Sequence, residues 1–529
     1  MSAAGSFNGP PTVPAAVRRA ASLWPDAEAI VDGDQRVTFA ELATEMTRAA
    51  RAFAASGVRP GDRVAVWAPN SLSWIIASFG IYAAGAVMVP INTRFKGAEA
   101  AHVLRTSGAR MLLTVTDFLG ADYAGMLSAD DAALREELEI VVLSGDPGDG
   151  VPWSSFLARA AGGGPLDAET ALGPDDSSDI IFTSGTTGTP KGAMLTHGAS
   201  TRTYVAWAET VGLREGDRYA CVYPFFHTAG LKSGILASVL VGATLVPCPV
   251  FEVDTVMALV AKERITMLPG PPALYQSLLN ADLSGYDSSS LRLAVTGAAS
   301  VPVDLVRRIR TDLGFESVVT GYGLTETTGT VSMCRHDDPV EVIANTCGRP
   351  IPGVSVRVVD SSGADAPPGE PGEVWAKGYN VMSGYFSNPE ATAEAITPDG
   401  WLRTGDVGVL DSAGNLKITD RIKDMFIVGG FNAYPAEIEN LLSRHPAVAQ
   451  VAVVGVPDER LGEVGYAYVI PRADTAVPSA DELIAWCRNE MANFKVPRHV
   501  SFVEALPLNP SGKVLKFELR DRARKAVAR

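Results

Sequence analysis

One stretch of the chain occurs twice. The first copy reads GVRPGDRVAVWAPN from Gly57 and GAVMVP from Gly85; the second reads GLREGDRYACVYPF from Gly212 and GATLVP from Gly242. Each copy carries a Gly-Asp-Arg turn, a hydrophobic strand, a proline, a helical stretch, a Gly-Ala turn and another strand. Strand–helix–strand units predict parallel sheets covered by helices. Two copies in one chain predict two similar subdomains side by side. The copies diverge just past the proline. Pro69 is followed by Asn70, Ser71 and Leu72, whereas Pro224 is followed by Phe225, Phe226 and His227. Strand ends are where α/β sheets bind ligands, so the aromatic–His segment is the functional candidate of the pair.

Each copy also contains an uncharged run, Trp74 to Ile91 and Ser233 to Val250. Their lengths sit near the lower limit for a membrane helix. Both are broken by Gly, Ser and Pro and end in β-branched residues. Each therefore reads as a buried helix, a turn and a buried strand, and no membrane span is expected. Downstream, ITMLPGPPALYQSLL from Ile265, LRLAVTGAAS from Leu291 and SVVTGYGLTETTG from Ser317 read as further strands ending in small-residue loops. From about Val354 short strands alternate with Gly/Pro turns, which predicts a smaller β-rich subdomain. A compact tail follows DRIKDMFIVGG, with a helix opened by the capping pair Ser479 and Glu482 and a basic helix at its end. The fold expected is α/β: a large N-terminal domain of two similar helix-covered sheets plus a β-rich subdomain, then a small mobile α+β domain. The boundary is placed at Lys423, giving domains 1–422 and 423–529.

The net charge of −15 disfavours nucleic acid and anionic lipid as partners, so any anionic substrate needs positive charge gathered locally. Cys221, Cys248, Cys334, Cys347 and Cys487 are widely spaced, with no metal-knuckle or disulfide pattern, which suits a reducing cytoplasm. The start, MSAAGSFNGPPTVPAAVRRAASLWP, lacks a continuous apolar core of signal-peptide length.

The stretch FTSGTTGTPKG, Phe182 to Gly192, follows a strand. Its glycines let successive N–H groups converge on phosphate oxygens, its hydroxyls add donors, and Lys191 adds charge. It is not a P-loop: two residues separate Gly185 from Gly188, and Lys191 precedes Gly192 instead of Ser or Thr. Pro190 disfavours a helix start, so a flap continuing as a strand through GAMLTH is expected.

With this loop the sequence resembles the adenylate-forming superfamily of acyl- and aryl-CoA synthetases, peptide-synthetase adenylation domains and firefly-type luciferases. The likeness covers nearly the whole chain, with the other motifs in the family's order. It implies a two-step reaction using ATP, Mg²⁺ and coenzyme A: a carboxylate attacks the α-phosphate, then a thiol takes the acyl group. By resemblance, Thr183, Ser184, Gly185, Thr186, Thr187, Gly188, Thr189, Pro190 and Lys191 hold the β- and γ-phosphates. The adenine slot falls at Gly297, Ala298 and Ala299 with Gly321, Tyr322 and Gly323, where small residues admit a flat ring and a tyrosine can stack on it. Thr325 is placed at the α-phosphate and Glu326 at the Mg²⁺. Asp406 matches the ribose-binding carboxylate and Arg421 a second nucleotide contact. Lys513, in NPSGKVLK, matches the catalytic lysine that neutralises charge as the oxygens converge. Lys423 matches the hinge, and Gly429 and Gly430 line the pantetheine tunnel once the C-terminal domain has swung.

Within the superfamily, YPFFHTAGLKSG carries no acid to hold a substrate amine, and the chain ends soon after Lys513. Both favour a free-standing CoA ligase over delivery to a carrier protein, and the intact constellation disfavours a non-catalytic relative. His227 is expected to gate the acyl pocket, with Thr228, Val319 and Thr320 lining it. Lys232 is expected to point outward; pointing inward, it would bind a carbonyl or second carboxylate. The segments PFFHTAGLKSGIL, TMLPGPPALYQSLL and TCGRP are similar to actinobacterial ligases of lipid and steroid breakdown, which suggests a fatty or steroid-ring-derived acid. A homodimer is compatible with this reading.

Overall fold

In the computed structural model the described residues are 9–162, 171–183, 190–297, 301, 303–421, 424–428, 431–458, 461–473, 475–491, 493–508 and 514–527. The repeat reproduces itself down to single hydrogen bonds. In the first copy, Arg63–Trp67 runs parallel to Val87–Pro90 with Arg63 opposite Val87; in the second, Arg218–Cys221 runs parallel to Thr244–Pro247 with Arg218 opposite Thr244. Asp62 accepts from the Arg59 N–H at 2.9 Å, as Asp217 does from Arg214 at 2.9 Å. Gly61 N–H donates to the Gly85 carbonyl at 2.8 Å, as Gly216 does to Gly242 at 3.2 Å. Those four glycines have φ of 81°, 72°, 78° and 75°, which a residue with a Cβ rarely adopts, so both turns recur with glycine.

Each copy anchors a different sheet. The first copy's strands lie in a sheet ordered Gly384–Tyr385, Lys191–Thr196, Ser177–Thr183, Val87–Pro90, Arg63–Trp67, Met111–Val115, Glu139–Ser144 and Val151–Pro152. Only Lys191–Thr196 runs against the other strands. The second copy's strands lie in a sheet that also takes in Leu293–Gly297 and Ser317–Tyr322, bridged to Arg218–Cys221 through Met267. The N-terminal hairpin, Glu28–Asp32 and Gln35–Thr38, adds to this second sheet beside Thr244–Pro247.

The expected strand after Ile265 is therefore a single bridge at Met267. Pro269, Pro271 and Pro272 follow at once, and a proline has no N–H to extend a ladder. The two uncharged runs fold as read. Leu72–Ala83 is a helix buried along almost its whole length and leads into Val87–Pro90, while residues 229–241 are helical and lead into Thr244–Pro247. No helix among the described residues is long and apolar enough to cross a membrane.

The β-rich subdomain is a four-stranded antiparallel sheet of Val354–Val359, Gly372–Gly378, Leu402–Leu410 and Leu416–Arg421. The tail builds its own sheet from Phe426–Val428, Phe431–Ala433, Val448–Asp458, Gly462–Pro471 and His499–Phe502, with helices Pro435–Leu442, Ala480–Glu490 and Lys516–Val527. Ser479 and Glu482 form the reciprocal capping box, Ser479 Oγ accepting at 3.2 Å and Glu482 Oε2 at 2.8 Å.

Candidate active site

The strands on either side of the Gly/Thr/Ser loop pair with each other. Ser177–Thr183 pairs antiparallel with Lys191–Thr196, with Thr183 opposite Lys191, so GAMLT does continue as a strand. Ser184, Gly185, Thr186, Thr187, Gly188 and Thr189 lie outside the described residues, as do Ala298, Ala299, Lys423, Gly429, Gly430 and Lys513. At the hairpin's mouth Thr183 Oγ1 stands 3.5 Å from Glu326 Oε1, bringing together two candidates 143 residues apart.

Glu326 is fixed from three sides. It lies in a single helical turn, Thr325–Thr327, which ends at Thr328 with φ 55°. That conformation is unusual for a β-branched residue, and the Tyr204 hydroxyl, donating to the Thr328 carbonyl at 3.0 Å, helps hold it. The Glu326 carbonyl accepts from Met382 N–H at 2.8 Å, and its carboxylate accepts from the Tyr385 hydroxyl at 2.8 Å. Burial, then the Glu326 charge, pushes the Tyr385 phenol well up, so it stays a donor. Lys191 Nζ lies 5.3 Å from the centre of the Tyr385 ring. Tyr385 was not singled out in the sequence; SGYF offers no sign of a partner 59 residues away.

The adenine candidates sit on neighbouring parallel strands with Gly297 opposite Gly321, and a Cβ on Gly297 would come within 3.1 Å of the Gly321 carbonyl. A Cβ on Gly323 would meet the Gly329 carbonyl at 2.3 Å, so the GYGLTE turn requires glycine there. The Tyr322 hydroxyl donates to Asp406 Oδ2 at 2.5 Å, joining the base and ribose candidates. Asp406 pairs with Arg421 across Leu402–Leu410 and Leu416–Arg421, placing the second nucleotide candidate beside it.

On the acyl side, His227 precedes a π-helix, Ala229–Leu236. Such helices are rare and recur at functional sites. His227 is half-buried and its Nδ1 accepts from Ala229 N–H at 3.2 Å. Asn70, the first copy's counterpart of the aromatic segment, ties that segment down. Its Nδ2 donates to the Tyr223 carbonyl at 2.9 Å, with the Cys221 and Cys248 carbonyls at 3.2 and 3.3 Å, and its Oδ1 accepts from Phe225 N–H at 2.8 Å. Thr228 and Val319 are buried, and Thr320 Oγ1 donates to the Ile343 carbonyl at 2.7 Å, so its hydroxyl is already engaged.

Lys232 corrects the expectation of an outward side chain. It is 1% exposed and its ammonium is paired with Asp179, itself 0% exposed. The reason is a buried carboxylate 53 residues away, a pairing that no local pattern signals.

The comparisons with known proteins agree with this architecture. The AMP-binding enzyme family matches residues 17–386, and the AMP-binding enzyme C-terminal domain matches residues 437–513. The chain is 47% identical, over 97% of its length and 99% of the relative's, to the 3-[(3aS,4S,7aS)-7a-methyl-1,5-dioxo-octahydro-1H-inden-4-yl]propanoyl:CoA ligase of Rhodococcus jostii. It is 39% identical, over 95% of its length and 97% of the relative's, to a feruloyl-CoA synthase of Amycolatopsis. Among solved structures, an anthranilate CoA ligase in complex with anthranoyl-AMP superposes with a TM-score of 0.88 at 28% identity, covering 100% of both chains. ATP-bound MatB from Rhodopseudomonas palustris superposes with a TM-score of 0.86 at 29% identity, covering 97% of this chain and 99% of that one. The chain belongs to the AMP-binding enzymes of the adenylate-forming superfamily. Within it, it is an AMP-forming acid–thiol ligase, an ATP-dependent acyl-CoA synthetase that uses ATP, CoA and a small carboxylic acid.

Proposed function

We propose that the acid is a propanoate side chain carried on a compact, oxidised ring system of steroid origin. The observation that carries this reading is the 47% identity, across nearly the whole of both chains, to a ligase named for such a substrate. The acyl side supports it. Asp179, the buried acid beside the π-helix, is already paired with Lys232, leaving it unsuited to holding a substrate amine.

In the first step a carboxylate oxygen of the acid bonds to the α-phosphorus of ATP and pyrophosphate leaves. Thr183, the hydroxyl loop and Lys191 hold the leaving phosphates, Thr325 the α-phosphate, Asp406 the ribose and Lys513 the converging oxygens. Glu326 fits a Mg²⁺ site: Oε1 is anchored by Tyr385, Oε2 accepts no hydrogen bond among the described residues, and one carboxylate with phosphates suffices for this ion. Bound there, Mg²⁺ would offset charge on the phosphate oxygens. In the second step the CoA thiol attacks the acyl carbonyl and AMP leaves. For this the C-terminal domain turns about Lys423 and presents Gly429 and Gly430 to the pantetheine arm. Five cysteines without disulfides suit a reducing, cytoplasmic setting.

The test is CoA-, ATP- and Mg²⁺-dependent AMP release across alkyl, aryl and steroid-ring propanoic acids. A ring-propanoate winner that requires CoA supports the reading. An alkyl or aryl winner would remove the substrate proposal and leave the ligase.

A further inference from the structure

We propose that the buried pair of Asp179 and Lys232 is a positioning element of the acid-activating step, holding the acyl-pocket segment in place against the strand that leads to the phosphate loop. The inference rests on the reading of His227 as the acyl-pocket gate.

The pair joins three elements. Asp179 lies in Ser177–Thr183, four residues before the Thr183 that faces Glu326. Lys232 lies in the π-helix Ala229–Leu236, five residues after His227. The same carboxylate accepts from the Tyr82 hydroxyl at 2.5 Å through Oδ1 and from the Ser178 hydroxyl at 2.5 Å through Oδ2. Tyr82 belongs to Leu72–Ala83, the buried helix of the first repeat. One carboxylate thus links the first repeat's helix, the loop-bearing strand and the second repeat's acyl segment.

Sterics confine that segment without fixing it along its axis. A Cβ on Gly230 would lie 2.2 Å from the Pro224 carbonyl, and one on Gly234 would lie 2.7 Å from Cys221 Sγ, so the helix is pressed against the end of its strand. Two glycines in eight residues and π-type hydrogen bonding give it little intrinsic preference for one conformation. The ammonium supplies the missing directional anchor. Stability alone does not call for an ion pair here, because well-packed apolar residues of similar volume often replace buried pairs at no loss or with gain. What apolar residues do not supply is a fixed direction between two groups.

The two ends should respond unequally. Ser177–Thr183 is also held by its ladders to Lys191–Thr196 and Val87–Pro90, whereas the π-helix has no ladder and is held by side-chain packing and the pair. Loss of the pair therefore displaces the acid more than the ATP.

The experiment replaces both partners, Asp179→Leu with Lys232→Met, in the full chain. It reads acid-dependent ATP–pyrophosphate exchange and the melting temperature. We expect a folded protein whose KM for the acid rises about tenfold or more while the KM for ATP changes less than about twofold. Lys232→Arg with Asp179 kept, which preserves the charge pair, should leave the acid KM closer to that of the native chain than the double variant does. A folded double variant with native acid KM overturns the inference. Should the double variant not fold, Tyr82→Phe decides: it removes one hydrogen bond to Asp179, and an unchanged acid KM overturns the proposal. His227→Ala separates the two readings. If it leaves the acid KM unchanged, the acyl-pocket assignment falls; if it raises the acid KM while the double variant is silent, only the positioning role falls.

Discussion

The Tyr322 hydroxyl donates to Asp406 Oδ2 at 2.5 Å across 84 residues of sequence, fastening the end of a parallel strand to the antiparallel subdomain. Asp406 is 3% exposed, so each donor to its carboxylate counts. A hydrogen bond to a charged group contributes about 1.5–3 kcal/mol, or roughly ten- to a hundredfold in affinity. Tyr322→Phe keeps a ring for stacking and removes that donor. The KM for ATP should rise by about tenfold with the acid KM nearly constant. An unchanged ATP KM would show that Asp406 is not the ribose anchor.

The Tyr385 hydroxyl orients the carboxylate of Glu326. Tyr385→Phe removes the 2.8 Å hydrogen bond and keeps the ring. The Mg²⁺ concentration for half-maximal pyrophosphate exchange should rise about tenfold, the low end of what a hydrogen bond to a charged group contributes. Glu326→Gln should raise it further. If Tyr385→Phe slowed exchange equally at all Mg²⁺ concentrations, the tyrosine would be serving something other than the metal site.

The repeat, the hairpin and the tail were legible because their signals are local. Glycines that need a left-handed φ recur at Gly61 and Gly216, and alternating or continuous apolar runs mark strands over a few residues. The site's internal wiring was not legible. Asn70 to the Tyr223 carbonyl spans 153 residues, Tyr82 to Asp179 spans 97, and Asp179 to Lys232 spans 53. Which side chain meets which at such separations is decided by topology, and nothing in the local pattern encodes it. Lys232 shows the cost. A lysine among apolar residues reads as a surface side chain until a buried carboxylate is found beside it. Met267 shows the converse: its segment is apolar enough for a strand, but the prolines after it limit pairing to one bridge.

Lys513 and Gly430 separate the two half-reactions. Lys513→Ala should abolish acyl-adenylate formation, by about a hundredfold or more, because a charge aimed at the converging oxygens is lost. Thioester formation from supplied acyl-adenylate should stay largely intact, since the domain then presents another face. Gly430→Leu should do the reverse by obstructing the pantetheine tunnel. Half-reaction assays with the acid, ATP and pyrophosphate, and separately with acyl-adenylate and CoA, read the two outcomes. Parallel losses in both assays for Lys513→Ala would rule out the two-face scheme.

His197 should make the protein's stability depend on pH. The ring is fully buried at the start of His197–Val211; Nδ1 accepts from Val13 N–H at 3.4 Å, and Nε2 has no partner among the described residues. Burial first, then the Lys232 charge, pulls its pKa down to about 4, against opposing pulls from Asp179 and Asp176. In the unfolded chain the same ring titrates near its ordinary value of about 6.5. Between these two values the unfolded state holds a proton that the folded state does not. Stability from this group is therefore complete above about pH 6.5 and is lost as the pH falls towards 4. A difference of two to three pH units corresponds to about 3 kcal/mol over that window. The melting temperature should fall between pH 7 and pH 4.5, and His197→Gln, which cannot titrate, should flatten that fall even though its own melting temperature at pH 7 is lower. Equal pH slopes for the two proteins would mean that the carboxylates alone set the acid limit.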